Sequence, residues 1–384
     1  MARKVLFAAN NFWTSPFQVG THELAKQFLK NNWEVAYISD PVSPLHLFSK
    51  DKNQIKERFK IWKIGGIKST PLWAYVPFSI LSPANLPILK QKFIFNNWYK
   101  FSIPNCITKV KNEGFESVDL LYIDSVYQSF WLKEIKYKKT IFRIADDNLG
   151  FSRYKKDTVS EIENEISSKV DYVVYSAETL SEKIKNLNPN SYFYLPNGVD
   201  YTHFANGKSK LPTEFESIPE PRVIYLGAIE KWFDFDLINF ACERLPKYNF
   251  ILIGNPTLAR EKLFKRPNLF ILGTRPYKDI PNYLHYSNIG IIPFDRINNK
   301  ILVDSINPLK LLQYFACGLP TLSARWKQLE IMNSPVEMYN THEQFIKKLE
   351  DLYNSNIDIN KLKSFAQQND WSNRYNEIIK NLGL

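Results

Sequence analysis

The chain has 384 residues, 44% of them hydrophobic and 23% charged, with a net charge of +11, and at roughly 100–200 residues per domain it should hold two domains. Aromatic residues at 15% exclude disorder, and no apolar run nears the ~18 residues that cross a bilayer. Cys106, Cys242 and Cys317 are too scattered for a disulfide framework, and the five histidines lack any zinc spacing. The expectation is therefore a reduced, cytoplasmic protein with neither metal nor cofactor.

In chain order, Lys4 to Ala9 reads as a buried strand rather than a signal segment, because its apolar run stops at Asn10. Helical spacing over Thr21 to Lys30 and a strand at Glu34 to Ser39 complete a βαβ unit, which predicts a parallel sheet. Further strands are predicted at Leu120 to Ile123, Lys139 to Ile144, Tyr172 to Tyr175 and Ser191 to Leu195, with a helix over Asp157 to Lys169. Proline-rich sequence from Asn206 to Pro221 suits a linker. Strands then resume at Arg222, Phe250, Leu269, Ile289 and Thr321, three of the first four ending in glycine. The fold class is α/β, with two Rossmann-like parallel-sheet domains (1–200 and 201–384) facing across a cleft. A last helix, about residues 372–381, is expected to pack back on the first domain.

The chemistry should sit where strands end. Pro308 to Ala316 reads as a helix, with Ser305 and Asn307 as N-cap residues before it. Its free N–H groups form an anion site that Lys310 can reach, and Gln313 follows on the same face for ribose hydroxyls. A solvated Lys and Gln on an ordinary amphipathic helix is the alternative. After the strand to Ile144, the adjacent carboxylates Asp146 and Asp147 are candidates for a general base, or for a helix N-cap. Gly20 and His22 open the first helix and are expected to face the cleft, near an acceptor or phosphate, although His22 fits a plain exposed position equally well.

The tandem layout, Asn197-Gly-Val-Asp200, Gly254, Gly273 and the stop at Cys317-Gly-Leu-Pro320 resemble GT-B glycosyltransferases. Leu302-x-Asp304-Ser305, Leu309-Lys-Leu-Leu-Gln-Tyr314, Trp232-Phe-Asp234 and Gly273 with Pro281 and Tyr283 most resemble the xanthan-type membrane-associated glucuronosyltransferases. The resemblance implies a donor site of Gly227, Ile229, Thr274, Arg275, Phe294, Ser305, Asn307, Leu309, Lys310 and Gln313. It also implies a UDP-sugar donor, glucuronate favoured, and an essential aspartate near Asp146. Large retaining GT-B enzymes carry two glutamates where this chain has Ser305 and Gln313, so the outcome is expected to be inverting. Arg275, at a departure from the pattern, has a fork suited to a phosphate or a uronate carboxylate.

Between Lys50 and Lys111, twelve cations face only Asp51 and Glu57, so 12 − 2 = +10 of the charge sits there, interleaved with Trp62, Trp73, Trp98 and other aromatics. Nucleic acid is not expected, because no RNA- or DNA-binding motif accompanies the pattern. An anionic membrane surface is the preferred partner, with a plain solvated face as the alternative. The function expected is transfer of a sugar to a lipid-linked or oligosaccharide acceptor by a peripheral protein on the inner face of the cell membrane. A UDP-sugar 2-epimerase and a non-catalytic sugar-nucleotide-binding scaffold are the alternatives.

Overall fold

The computed structural model describes residues 2–48, 52–84, 86–147, 156–206 and 210–384. The chain divides into two units: residues 1–15, 19–196 and 375–384 form the first, and 16–18 with 197–374 form the second.

The first unit is built on an eight-stranded sheet of β1 (Lys4–Ala9), β2 (Glu34–Ser39), β3 (Ile67–Ser69), β4 (Leu72–Tyr75), β5 (Ser117–Ile123), β6 (Lys136–Ile144), β7 (Tyr172–Tyr175) and β8 (Tyr192–Tyr194). Its order is β3-β4-β2-β1-β5-β6-β7-β8, and only the edge strand β3 runs antiparallel. β1 is apolar from Val5 to Ala9 because a central parallel strand is covered on both faces. β1 pairs β2 from Lys4↔Glu34 to Ala9↔Ser39 and β5 from Val5↔Leu120 to Ala8↔Ile123. The order therefore reverses at the β1/β5 boundary, where the carboxyl ends of such sheets hold ligands.

The second unit repeats the plan with β9 (Arg222–Leu226), β10 (Asn249–Ile253), β11 (Leu269–Ile271), β12 (Ile289–Ile292), β13 (Thr321–Ala324) and β14 (Glu337–Tyr339). All pairings are parallel in the order β11-β10-β9-β12-β13-β14, so this sheet reverses at β9/β12. The glycines after its strands permit backbone contact: Gly227 N–H bonds Ile253 O at 2.9 Å and Gly254 N–H bonds Gly273 O at 3.2 Å. A Cβ on Gly254 would stand 2.0 Å from Gly227 O, and Gly227 itself has φ +141°.

Two expectations fail here. The stretch 206–221 is no loose linker in its described part: Phe215 and Ile218 are buried in the second unit's core. (Residues 207–209 lie outside the described residues.) In the basic stretch, Trp73, Tyr75, Phe95 and Trp98 are core residues of the first unit, packed with Leu6, Ile38 and Leu121. An α/β core needs large apolar volume beneath β4 and β5, and these rings supply it. Among the described residues, the exposed large apolar side chains of this stretch are aliphatic instead, from Ile64, Ile80, Leu81, Leu86, Ile88 and Ile103, with Phe93 the one strongly exposed ring. Several of the cations are also neutralised. Lys68 and Lys109 pair with Glu113, and Lys92 with Glu161 and Glu165. Lys50 lies outside the described residues.

Candidate active site

At the β1/β5 switch of the first unit, Asn10 Nδ2 donates to Asp124 O at 2.9 Å and to Asp124 Oδ2 at 3.2 Å. Thr21 Oγ1, on the helix Gly20–Lys30, donates to the same Oδ2 at 2.7 Å, and Arg143 Nη1 reaches Oδ1 at 3.2 Å. Both members of the Arg143–Asp124 pair are buried. Burial works against the Arg143 charge, yet Asp124 and, more weakly, Asp146 hold its pKa above the ordinary value. Asp40, one residue past β2, accepts from Ser125 Oγ at 2.6 Å and Gln128 Nε2 at 3.2 Å. Asp124 and Asp40 escape a reading of the sequence because each stands alone, although each directly follows an apolar strand.

Asp146 and Asp147 lie just past β6, both half-buried, and they part company there. Asp147 is bound to Lys183 at 3.0 Å, and Lys183 also pairs with the buried Glu163 at 2.9 Å. Asp146 instead adds its field to the Arg143 cluster. Gly20 is the first residue of its helix and is buried. His22 is not exposed. Its ring is fully buried, Nδ1 accepts from Val19 N–H at 3.3 Å, and Nε2–H therefore donates to Phe12 O at 2.9 Å. Burial lowers its pKa to about 4, so it is neutral at pH 7 and serves to hold the β1-to-helix loop.

In the second unit, three of the residues expected at a donor site converge on the β9/β12 switch. Lys310 sits in the first turn of the helix Leu309–Ala316, with Nζ 4.5 Å from the Phe294 ring centre and 5.4 Å from that of Tyr225. A Cβ on Gly227 would lie 2.9 Å from Lys310 Cε, so the glycine makes the slot that the lysine occupies. Tyr314, one turn on, accepts from Leu226 N–H at 2.8 Å and fixes the helix to the end of β9. Gly290 leaves room for its ring, which a Cβ would approach to 2.5 Å. The Trp232-Phe-Asp234 segment lies along Pro293 to Asp295, through Asp295 N–H to Trp232 O at 2.7 Å and Asp234 N–H to Pro293 O at 2.9 Å, and so positions Phe294. Leu309 and Gln313 are half-buried on the same helix.

Other candidates serve the scaffold. Ile229 is core, in contact range of Gly254. The N-cap of the helix is Pro308 rather than Ser305 or Asn307. Ser305 closes the preceding helix Lys300–Asp304 and donates to Leu302 O at 2.8 Å, because the chain turns once more before the longer helix starts. Asn307 is buried, and its carbonyl accepts from Asn197 Nδ2 at 2.7 Å. Thr274 is exposed, and its carbonyl accepts from Arg275 Nη1 at 3.0 Å. Arg275 does meet a carboxylate, but it is the chain's own Glu214, at 2.6 Å from Nη2, while Nε donates to Tyr283 OH at 2.9 Å. Burial disfavours the Glu214 charge, but hydrogen bonds from its backbone, Arg275 and Tyr283 bring its pKa below the usual carboxylate value. Asp234 and Asp236 stand at a D-x-D spacing at the start of the helix Phe235–Arg244. Asp234 caps the helix Phe235–Arg244 by accepting from Leu237 N–H at 2.8 Å, and it bonds His342 Nε2 at 3.1 Å.

The model of the family described as glucuronosyltransferase GumK, N-terminal domain, matches residues 7–176. TuaH of Bacillus subtilis, a provisionally assigned teichuronic acid biosynthesis glycosyltransferase, is 24% identical over 249 residues, covering 61% of this chain and 62% of TuaH. Among solved structures, sucrose-phosphate synthase from Thermosynechococcus elongatus superposes with a TM-score of 0.67 at 12% identity over 98% of both chains. Anabaena Alr3699/HepE in complex with UDP and glucose gives 0.64 at 12% identity over 99% of both. The chain thus has the GT-B fold, and its first half resembles the xanthan-type glucuronosyltransferase GumK.

Proposed function

We propose that this chain is an inverting, metal-independent glycosyltransferase that moves a sugar, with glucuronate favoured, from a UDP-sugar to a lipid-linked or polysaccharide-precursor acceptor. The observation that carries the reading is Lys310, an ammonium set between two rings at the switch point of the second sheet and at a helix N-terminus. A nucleoside diphosphate is the ligand that this chemistry suits, and HepE was crystallised with one. In the first unit, Asp146, whose field reaches the Arg143–Asp124 cluster at the switch point of the first sheet, would take the proton from the acceptor hydroxyl. The acceptor oxygen would then bond to the anomeric carbon as the carbon–phosphate-oxygen bond breaks. One displacement inverts the centre, and the UDP leaving group carries its new charge to Lys310 and the adjoining N–H groups. The exposed aliphatic residues between Leu45 and Ile103 support a peripheral position on the inner membrane face.

The test is UDP release from a panel of UDP-sugars, with and without lipid-linked acceptor and chelator. Acceptor-dependent release that survives chelator supports the proposal. Conversion of free UDP-sugar without acceptor would make the chain an epimerase, and binding without any release would make it a scaffold.

A further inference from the structure

The short turn Pro44–Phe48 and the helix Lys52–Lys63 enclose a cavity of about 510 Å³ in the first unit, a volume within the usual range for small ligands. Its apolar lining is Leu47, Ile55, Phe59 and Ile64. Four lysines also line it, Lys52, Lys56, Lys60 and Lys63. Their spacing of four, four and three residues places them in one stripe along the helix. Among the described residues Lys52, Lys56 and Lys63 form no salt bridge, and Lys60 reaches only Glu57, at 3.9 Å. Other cations of the basic stretch are neutralised by Glu113, Glu161 and Glu165, so unspent positive charge gathers at this opening. Exposed apolar side chains add to this surface: Ile64, in the lining, is 59% accessible, and Phe48, next to Leu47 in sequence, is 88%. The opposite side of the helix is anchored, since Arg58 Nη2 donates to Asp40 O at 2.8 Å and Pro41 O at 2.9 Å.

We infer that this groove seats one hydrocarbon chain of an anionic membrane phospholipid, with the lysine stripe on its phosphate. An apolar slot alone would suit many ligands, and a lysine stripe alone would suit any anion. Together they select a molecule with a hydrocarbon tail directly below a negative head. The inference goes beyond the proposed sugar transfer and does not depend on it, because nothing in the groove performs chemistry.

The probe is a phosphatidylglycerol with a photoreactive acyl chain, presented in phosphatidylcholine vesicles to the full chain, with labelled residues located by mass spectrometry. Labels should fall on Leu47, Ile55, Phe59 or Ile64. Lys56→Glu/Lys60→Glu/Lys63→Glu changes only exposed side chains, and should lower vesicle affinity by about a hundredfold at about fivefold per lysine. Ile64→Trp, which narrows the opening, should remove the labels while salt-sensitive vesicle binding persists. Labels scattered over the surface, or an unchanged affinity of the triple variant, would overturn the inference. So would labelling by a lipid-linked acceptor but not by phosphatidylglycerol, an outcome that leaves the transferase reading standing. Conversely, groove labelling in a chain that releases UDP from no donor removes that reading and keeps this one.

Discussion

Replacing Lys310 by alanine tests the donor site most directly. Two separate effects are expected, because the ammonium lies over the Phe294 and Tyr225 rings at 4.5 and 5.4 Å. Loss of those contacts should cost about 0.5–2 kcal/mol of stability, visible as a modest drop in melting temperature. Loss of a charge-assisted contact to a diphosphate should cost about 1.5–3 kcal/mol of binding, or roughly 10- to 150-fold in the Kd for UDP. Lys310→Arg keeps the charge but must enter a slot whose wall, at Gly227, already approaches Lys310 Cε closely, so an intermediate affinity is expected. Calorimetric titration with UDP and uridine separates the effects: the variant should lose discrimination in favour of the diphosphate while uridine affinity changes little. A folded Lys310→Ala protein that binds UDP like the wild type would refute the assignment.

Asp146→Asn should abolish most turnover at unchanged UDP affinity, whereas Asp147→Asn should mainly lower the melting temperature, by loosening Lys183 from its two carboxylates; the reverse pattern in a turnover assay would exchange the two roles. Arg275→Ala should destabilise the second unit with little effect on UDP affinity, and a double-mutant cycle with Glu214→Gln should show coupling of about 1 kcal/mol. Stability should fall with acid before the carboxylates titrate. His22 has a folded pKa of about 4 against an ordinary 6.5, so between those values the unfolded chain binds more protons. Its contribution, of order 3 kcal/mol, is present above pH 6.5 and lost as the pH falls towards about 4. Urea midpoints measured across that window should slope less steeply in His22→Gln; an equal slope would show that His22 does not titrate between the two states. His46, also lowered to about 4 by burial and then by Arg58, keeps part of the slope in that variant.

The parallel strands were legible because a doubly covered strand is largely apolar, and β1, β2 and β7 hold the unbroken runs Val5 to Ala9, Val35 to Ile38 and Tyr172 to Tyr175. β3 and β14 were not, since Ile67-Lys-Ser69 and Glu337-Met-Tyr339 contain no apolar run, and β4, although apolar, lies inside the basic stretch that reads as a surface. The same holds at the sites. Lys310, Gly227 and Phe294 were found through a pattern, and their convergence follows from the strand order. Burial has no local signature, so the basic stretch looked like an aromatic surface when Trp73 and Trp98 fill a core. Arg275 likewise looked ready for a ligand carboxylate because Glu214, 61 residues earlier, is invisible as its neighbour in sequence.

The last helix, Trp371–Leu382, is divided between the units, with Tyr375 onward counted in the first. Trp33 Nε1 donates to Tyr375 OH at 3.0 Å, Phe28 meets the Tyr375 ring edge-on, and Tyr172 OH donates to Asn381 O. During synthesis, then, the first unit has its whole sheet by residue 194 but lacks this closing piece until nearly two hundred more residues have left the ribosome. The second unit can assemble while the first is still incomplete, so the order of maturation inverts the order of translation. A nascent chain arrested before Tyr375 would expose the Phe28–Trp33 face to chaperones for as long as the arrest lasts.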